Sequence, residues 1–212
     1  MTNNDSENPI VYVVDDDETI RASLSSLFRS IGMRVQDFAS TEEFLAAARE
    51  DGPSCLILDV RLRGTSGLAF QEVAAERGHP QMPIIFMTGH GDIAMSVKAM
   101  KAGALDFLAK PFRDQDMIDA VMNALDRDSK RLHVQRSTQA LRACYQSLTP
   151  REREVAHLVV TGLMNKQIAD RMGIAEITAK IHRAQAMKKM ECRSVADLVR
   201  KIEGLGIATA DR

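Results

Sequence analysis

The first 126 residues alternate between short aliphatic runs and longer stretches with apolar positions every three or four residues. Ile10–Val14 is a largely β-branched run that predicts a buried strand, and it ends in Asp15, Asp16 and Asp17. Ile20, Leu24, Leu27, Phe28 and Ile31 then share one face of a helix that stops at Gly32. Val35–Phe38 fits a shorter strand, and Ser40 with Glu43 makes a capping box for the next helix. Cys55–Asp59, Pro83–Thr88 and Leu105–Ala109 are three further buried strands, the last followed by Lys110-Pro111. Between them, Ser66 opens one helix, and Asp92 caps another that runs to Ala102 and closes at Gly103. Strands alternating with helices predict a doubly wound α/β domain, a five-stranded parallel sheet covered on both faces.

The rhythm then changes. From Asp114 a helical pattern runs past Leu125, with Ile118, Leu125 and Leu132 seven apart. The apolar stripe thins after Leu132, where Arg and Gln dominate, so 127–146 reads as a partly helical linker. Thr149 and Glu152 form another capping box. Four helices follow near 150–161, 165–172, 176–190 and 194–203, with Gly162, Gly173 and Gly204 as punctuation. The expected organisation is a disordered leader (1–8), an α/β domain (9–126), the linker (127–146), a small all-α domain of four helices (147–206) and a tail (207–212).

Charge sharpens this division. The net charge is −1, but residues 1–126 hold 11 Lys/Arg against 20 Asp/Glu, a net of −9, whereas residues 127–212 hold 17 against 9, a net of +8. Only the second half is therefore suited to a polyanion. Three unpaired cysteines, Cys55, Cys144 and Cys192, fit a reducing compartment. The N-terminus carries no apolar signal segment, and no stretch approaches the roughly 20 apolar residues that span a bilayer. The expectation is a cytoplasmic protein without a membrane partner.

In parallel sheets, ligands bind at the carboxyl ends of the strands. Those ends carry Asp15, Asp16, Asp59, Thr88 and Lys110. Singly, each acid reads as ordinary loop solvation. Together they cannot lie close without a cation, because like charges repel or raise one another's pKa. Oxygen ligands suit Mg²⁺, an ion often shared with phosphate. Lys110 adds a positive charge for a phosphoryl oxygen, and Thr88 adds a hydroxyl. The set suits phosphoryl transfer onto a carboxylate.

With Val13-Val14-Asp15-Asp16, Leu58-Asp59-Val60-Arg61, Met87-Thr88-Gly89 and Lys110-Pro111-Phe112, the first domain resembles the flavodoxin-like receiver of two-component response regulators. The resemblance implies that Asp59 is the phospho-acceptor for a cognate histidine kinase. It implies Mg²⁺, with Mn²⁺ as a substitute, on Asp16, Asp59 and the Arg61 backbone carbonyl, with Asp15 acting through water. It makes Thr88 the switch hydroxyl, Phe107 the switch aromatic and Lys110 a phosphoryl contact that precedes a cis peptide. The loop departs from the family's Met-Pro-Gly: Leu62-Arg63-Gly64 lacks the proline that would restrain it.

In the basic domain, Ile177, Lys180, Ile181, Ala184 and Lys188 share one face of the third helix, with Ala179, Ala186 and Met190 opposite and His182 beside them. Two branched aliphatics beside Lys suit a major groove, where Lys reaches guanine or phosphate and an aliphatic meets a thymine methyl. Alternatively, Ile177 and Ile181 are core residues of a differently docked helix. Asn165, Lys166 and Thr178 suit phosphate contacts, His182 a packed or phosphate-contacting place, and Lys188 and Lys189 general electrostatics. The runs Leu148-Thr-Pro-Arg-Glu-Arg-Glu-Val155, Gly162-Leu-Met-Asn-Lys-Gln-Ile-Ala169, Ile177-Thr-Ala-Lys-Ile-His-Arg183 and Met187-Lys-Lys-Met190 resemble the LuxR/NarL-type helix-turn-helix module. Arg183 belongs to its DNA-facing set. Domain order and Gly89-His-Gly-Asp92 resemble the FixJ branch.

The reading is a phosphorylation-controlled transcription regulator, not an enzyme, whose partners are a histidine kinase, double-stranded promoter DNA and RNA polymerase. Phosphorylation either promotes a homodimer through the face of Met95, Lys98, Met100 and Lys101, or unmasks the recognition helix. A phosphohydrolase would need a second catalytic acid, and the sequence offers no good candidate. A protein-binding scaffold would lack salt-dependent DNA binding.

Overall fold

The computed structural model describes residues 9–48, 50–62, 67, 70, 82–89, 97, 99–101 and 103–206. It divides into two compact units, with the boundary in the chain between Leu132 and His133.

In the first unit, strands β1 (Ile10–Val14), β2 (Arg34–Phe38), β3 (Ser54–Asp59), β4 (Ile84–Thr88) and β5 (Asp106–Ala109) form a parallel sheet of order β2-β1-β3-β4-β5. β1, β3 and β4 are buried along their whole length apart from the half-buried Ser54, which is why they read as continuous apolar runs and not as alternating ones. The register aligns Val14 with Leu58 and Asp59 with Met87, so the carboxyl ends of neighbouring strands lie side by side. Two cores cover the faces. One contains Tyr12, Val14, Phe44, Leu58 and Phe86. The other packs α1 (Glu18–Ser30) and the start of α3 (Asp114–Gln146) onto Val11, Val13, Ile57 and Ile85. Asp17 caps α1 by accepting from the Thr19 N–H, and Gly32 takes the left-handed turn beyond its end at φ +80°. The short α2 (Thr41–Ala46) keeps only half of the predicted capping box: Ser40 accepts from the Glu43 N–H, but Glu43 accepts from Ala39. Gly67 and Phe70 are helical where Ser66 was to open a helix, as are Val97, Ala99, Met100 and Lys101 in the 92–102 stretch. Arg63, Gly64, Ser66, Met95, Lys98 and the run His90–Asp92 lie outside the described residues.

The stretch read as a linker is helical throughout. α3 runs from Asp114 to Gln146, 33 residues without a Gly or Pro. Loss of an apolar stripe removes the packing signal but not the helix propensity of Arg, Leu, Gln and Ala. Its start packs in the first unit beyond residue 126: Asp128 is fully buried, accepting from the Ser54 N–H at 2.9 Å and from Arg131 Nε at 2.8 Å. Its end packs in the second unit through Leu141, Cys144 and Tyr145.

That unit adds α4 (Pro150–Val160), α5 (Asn165–Met172), α6 (Glu176–Lys189) and α7 (Val195–Gly204) around Val155, Val159, Ile168, Ala179, Ala186, Met190, Leu198 and Ile202. The Thr149–Glu152 capping box is complete. Gly173 is the left-handed cap of α5, whereas Gly204 closes α7 from within and the left-handed turn falls at Gly206. Tyr145 Oη and His157 Nε2, 2.8 Å apart, tie the end of α3 to α4.

Candidate phosphoryl site and nucleic-acid interface

Asp15 follows β1, Asp59 ends β3, Thr88 ends β4 and Lys110 follows β5, so the parallel register collects all four at one edge. Lys110 Nζ lies 2.7 Å from Asp15 Oδ2 and 2.8 Å from Asp59 Oδ2. Carboxylate oxygens of Asp15, Asp16 and Asp59 all fall within 4.8 Å of one another. Asp59 Oδ1 accepts from the Arg61 N–H at 3.0 Å, which turns its carboxylate toward the cluster. The Lys110–Pro111 bond is cis, and the Lys110 N–H donates to the Thr88 carbonyl at 2.6 Å. Thr88 is fully buried, while Phe107 is half-buried against the core at the register partner of Phe86.

Burial raises the Asp15 carboxyl above its ordinary value, and its Lys110 hydrogen bond opposes that without cancelling it. Burial works against the Lys110 charge, but its hydrogen bonds to Asp15 and Asp59 outweigh it and hold the ammonium above the ordinary lysine value. The Lys110 ammonium is shared between two of the three clustered carboxylates. The cluster's oxygen-only donors fit a divalent cation.

Sequence reasoning missed two residues here. A Cβ on Gly67 would lie 2.5 Å from the Asp59 carbonyl oxygen, so only glycine lets the backbone pass this close to the end of β3. Arg21 Nη1 donates to the Asp15 carbonyl at 2.8 Å. Gly67 had no signal beyond being a glycine after the helix-opening Ser66, and Arg21 reads as one surface charge on an amphipathic helix.

In the second unit, Ile177 and Ile181 are 64% and 53% exposed, so neither is a core residue. Lys180, Ala184 and Lys188 are exposed on the same face of α6, and Ala179, Ala186 and Met190 are buried opposite. Thr178 and His182 are half-buried at its border, and Lys166 is exposed on α5. Arg183 Nη1 donates to Asn165 Oδ1 at 2.8 Å, joining two residues that the sequence offered separately. Lys189 does not belong to the general charge: its Nζ is 2.7 Å from Glu152 Oε2 and 3.3 Å from the Ser147 carbonyl.

Residues 11–122 match the family described as the response regulator receiver domain, and residues 146–202 match the bacterial regulatory proteins of the luxR family. The chain belongs to the LuxR/FixJ-family response regulators. It is similar to Nodulation protein W of Bradyrhizobium diazoefficiens, 54% identical over 203 residues that cover 96% of this chain and 89% of the relative. It is also similar to the response regulator protein TmoT of Ectopseudomonas mendocina, 48% identical over 95% of this chain and 91% of that one. The solved structure of the response regulator StyR superposes with a TM-score of 0.86 at 44% identity, covering 93% of this chain and 99% of that one. This response regulator is thus a transcription regulator under phosphorylation control, with a histidine kinase as its signalling partner and DNA as its target. No helix among its described residues is long and apolar enough to cross a membrane.

Proposed function

We propose that Asp59 is the phospho-acceptor and that α6 reads DNA with the face of Ile177, Lys180, Ile181, Ala184 and Lys188. The observation that carries the first part is the Lys110 ammonium within 2.8 Å of Asp59, inside a cluster of three carboxylates. Mg²⁺, or Mn²⁺ in its place, would be held by Asp16, Asp59 and the Arg61 carbonyl, with Asp15 acting through water. When bound, it neutralises charge on the transferring group.

The chain's own residues supply the rest. An Asp59 carboxylate oxygen attacks the phosphorus of the kinase's phosphohistidine; the new O–P bond forms as the N–P bond breaks, and the imidazole leaves with the electron pair. Lys110 is placed to exchange its Asp59 contact for a phosphoryl oxygen. Thr88 is placed at the adjacent strand end to hydrogen-bond the same group. Its side chain and Phe107 sit on neighbouring strands, so an inward move of the hydroxyl is passed to the aromatic ring. That change reaches the face of Val97, Met100 and Lys101, all exposed, and promotes a homodimer. Two recognition helices on a two-fold operator then gain affinity from effective concentration, and the bound dimer engages RNA polymerase. Asn165, Lys166, Thr178, His182 and Arg183 contact phosphates and fix register.

Incubation with acetyl phosphate and Mg²⁺, followed by intact-mass analysis, tests the acceptor. One phosphoryl adduct is expected on the wild type and none on Asp59→Asn; a stoichiometric adduct on that variant overturns the assignment. Sedimentation before and after phosphorylation tests the dimer, which fails if the mass stays that of a monomer.

A further inference from the structure

We propose that Arg21 is a positioning residue for the acidic site, locking the loop after β1 so that Asp15 and Asp16 stay where a cation needs them. The inference rests on the proposed acceptor role of Asp59. Each polar group of Asp15 has a partner: its N–H donates to the Phe38 carbonyl at 3.3 Å, its Oδ1 accepts from the Asp17 N–H at 2.9 Å, its Oδ2 meets Lys110, and its carbonyl accepts from Arg21. Of these four, Arg21 alone reaches Asp15 from the body of α1. Its side chain is only 15% exposed, and Nε lies 3.5 Å from Asp37 Oδ2. Asp37 is held in turn by the Ser25 hydroxyl at 3.4 Å, and it adjoins Phe38, whose carbonyl receives the Asp15 N–H. The guanidinium therefore ties α1, the end of β2 and the Asp15 peptide into one unit. The planar guanidinium fork holds its donors in fixed directions, so one side chain reaches both acceptors with little freedom left to the loop.

The lock works against a force inherent to the site. Three carboxylates within 4.8 Å repel, and the β1–α1 loop carries two of them. Without Arg21 the loop relaxes outward and the cation binds a less ordered set of ligands. A pure charge effect has the opposite sign: deleting a cation beside an acidic cluster tightens binding of another cation. The direction of the change thus separates positioning from electrostatics.

Mg²⁺ is titrated into the full-length, unphosphorylated protein by calorimetry, and the Mg²⁺ dependence of acetyl phosphate labelling is measured beside it. Arg21→Ala is expected to raise the Mg²⁺ Kd at least threefold and to raise the Mg²⁺ needed for half-maximal labelling equally, while the saturating rate stays within twofold. Arg21→Lys keeps the charge and should restore only part of the loss. Arg21→Gln removes the same charge but keeps most of the side-chain length; it should raise the Kd likewise, and it decides the matter should Arg21→Ala not fold. An unchanged or lower Kd in folded Arg21→Ala, or in Arg21→Gln where that decides, overturns the proposal. Failure of the wild type to label Asp59 is a separate result and overturns the acceptor assignment itself.

Discussion

In the α/β unit the charged side chains at the site are sunk and paired, whereas in the helical unit the expected reading face stands in solvent. Asp15 is fully buried and Asp59 nearly so, each with the same lysine. Ile177 and Ile181 are more than half exposed beside Lys180. Burial suits chemistry on a small charged group, because electrostatic interactions strengthen where water is excluded. Exposure suits a partner that brings its own charge and shape, and lone apolar residues at such a face contribute little to the fold. Stability and function should therefore be coupled in the first unit and separable in the second.

The largest effect tests that separation. Ile168→Ala, in the core between α5 and its neighbours, should cost roughly 2–5 kcal/mol in chemical unfolding, whereas Ile181→Ala should stay within about 0.5 kcal/mol and still weaken operator binding. Comparable destabilisation by the two would erase the distinction. Next comes Lys110→Met, which leaves Asp15 and Asp59 without their ammonium. It should lose about 1–3 kcal/mol without divalent metal and regain part of it on adding Mg²⁺; a loss indifferent to metal would argue against a cation at the carboxylate cluster. Lys180→Ala should cost roughly 1–3 kcal/mol on the cognate DNA site if it meets a base, with unfolding unchanged. Equal losses on cognate and random DNA would make it a phosphate contact.

Two smaller effects probe the helical unit's frame. Glu191 follows α6 at φ +52°, a left-handed position for a residue with a Cβ. Glu191→Gly should stabilise by roughly 0.5–1 kcal/mol, the relieved strain less the added unfolded-state entropy, and thermal unfolding will show the sign. Lys189, through its hydrogen bond, and the Thr149 N–H hold the Glu152 carboxyl below its ordinary 4.5. A carboxyl depressed in the folded state adds stability above its ordinary value and loses it as pH falls through the folded one. Stability should therefore drop below about pH 4.5, and Glu152→Gln should flatten that part of the curve.

The strands and most helices were legible because their signals are local. Buried runs mark β1, β3 and β4, and three-to-four spacing marks α1 and α6. The acids at the strand ends could be collected into one site because a parallel sheet puts carboxyl ends together. The α3 boundary was not legible: a thinning apolar stripe looks like a linker, yet propensity and the buried Asp128 carry the helix through it.

By itself, then, the sequence determined the element order, the division into an acidic and a basic half, and the residues at each strand end. Near neighbours in the chain encode those properties through periodicity and turn chemistry. Tertiary structure alone decided that Gly67 must lack a Cβ beside Asp59, that Arg21 grips the Asp15 peptide, that Asp128 anchors Ser54 from 74 residues away and that Lys189 closes on Glu152 from 37. No periodicity records such pairs, because each is fixed only when packing brings two distant backbone segments together and every buried polar group must find a partner.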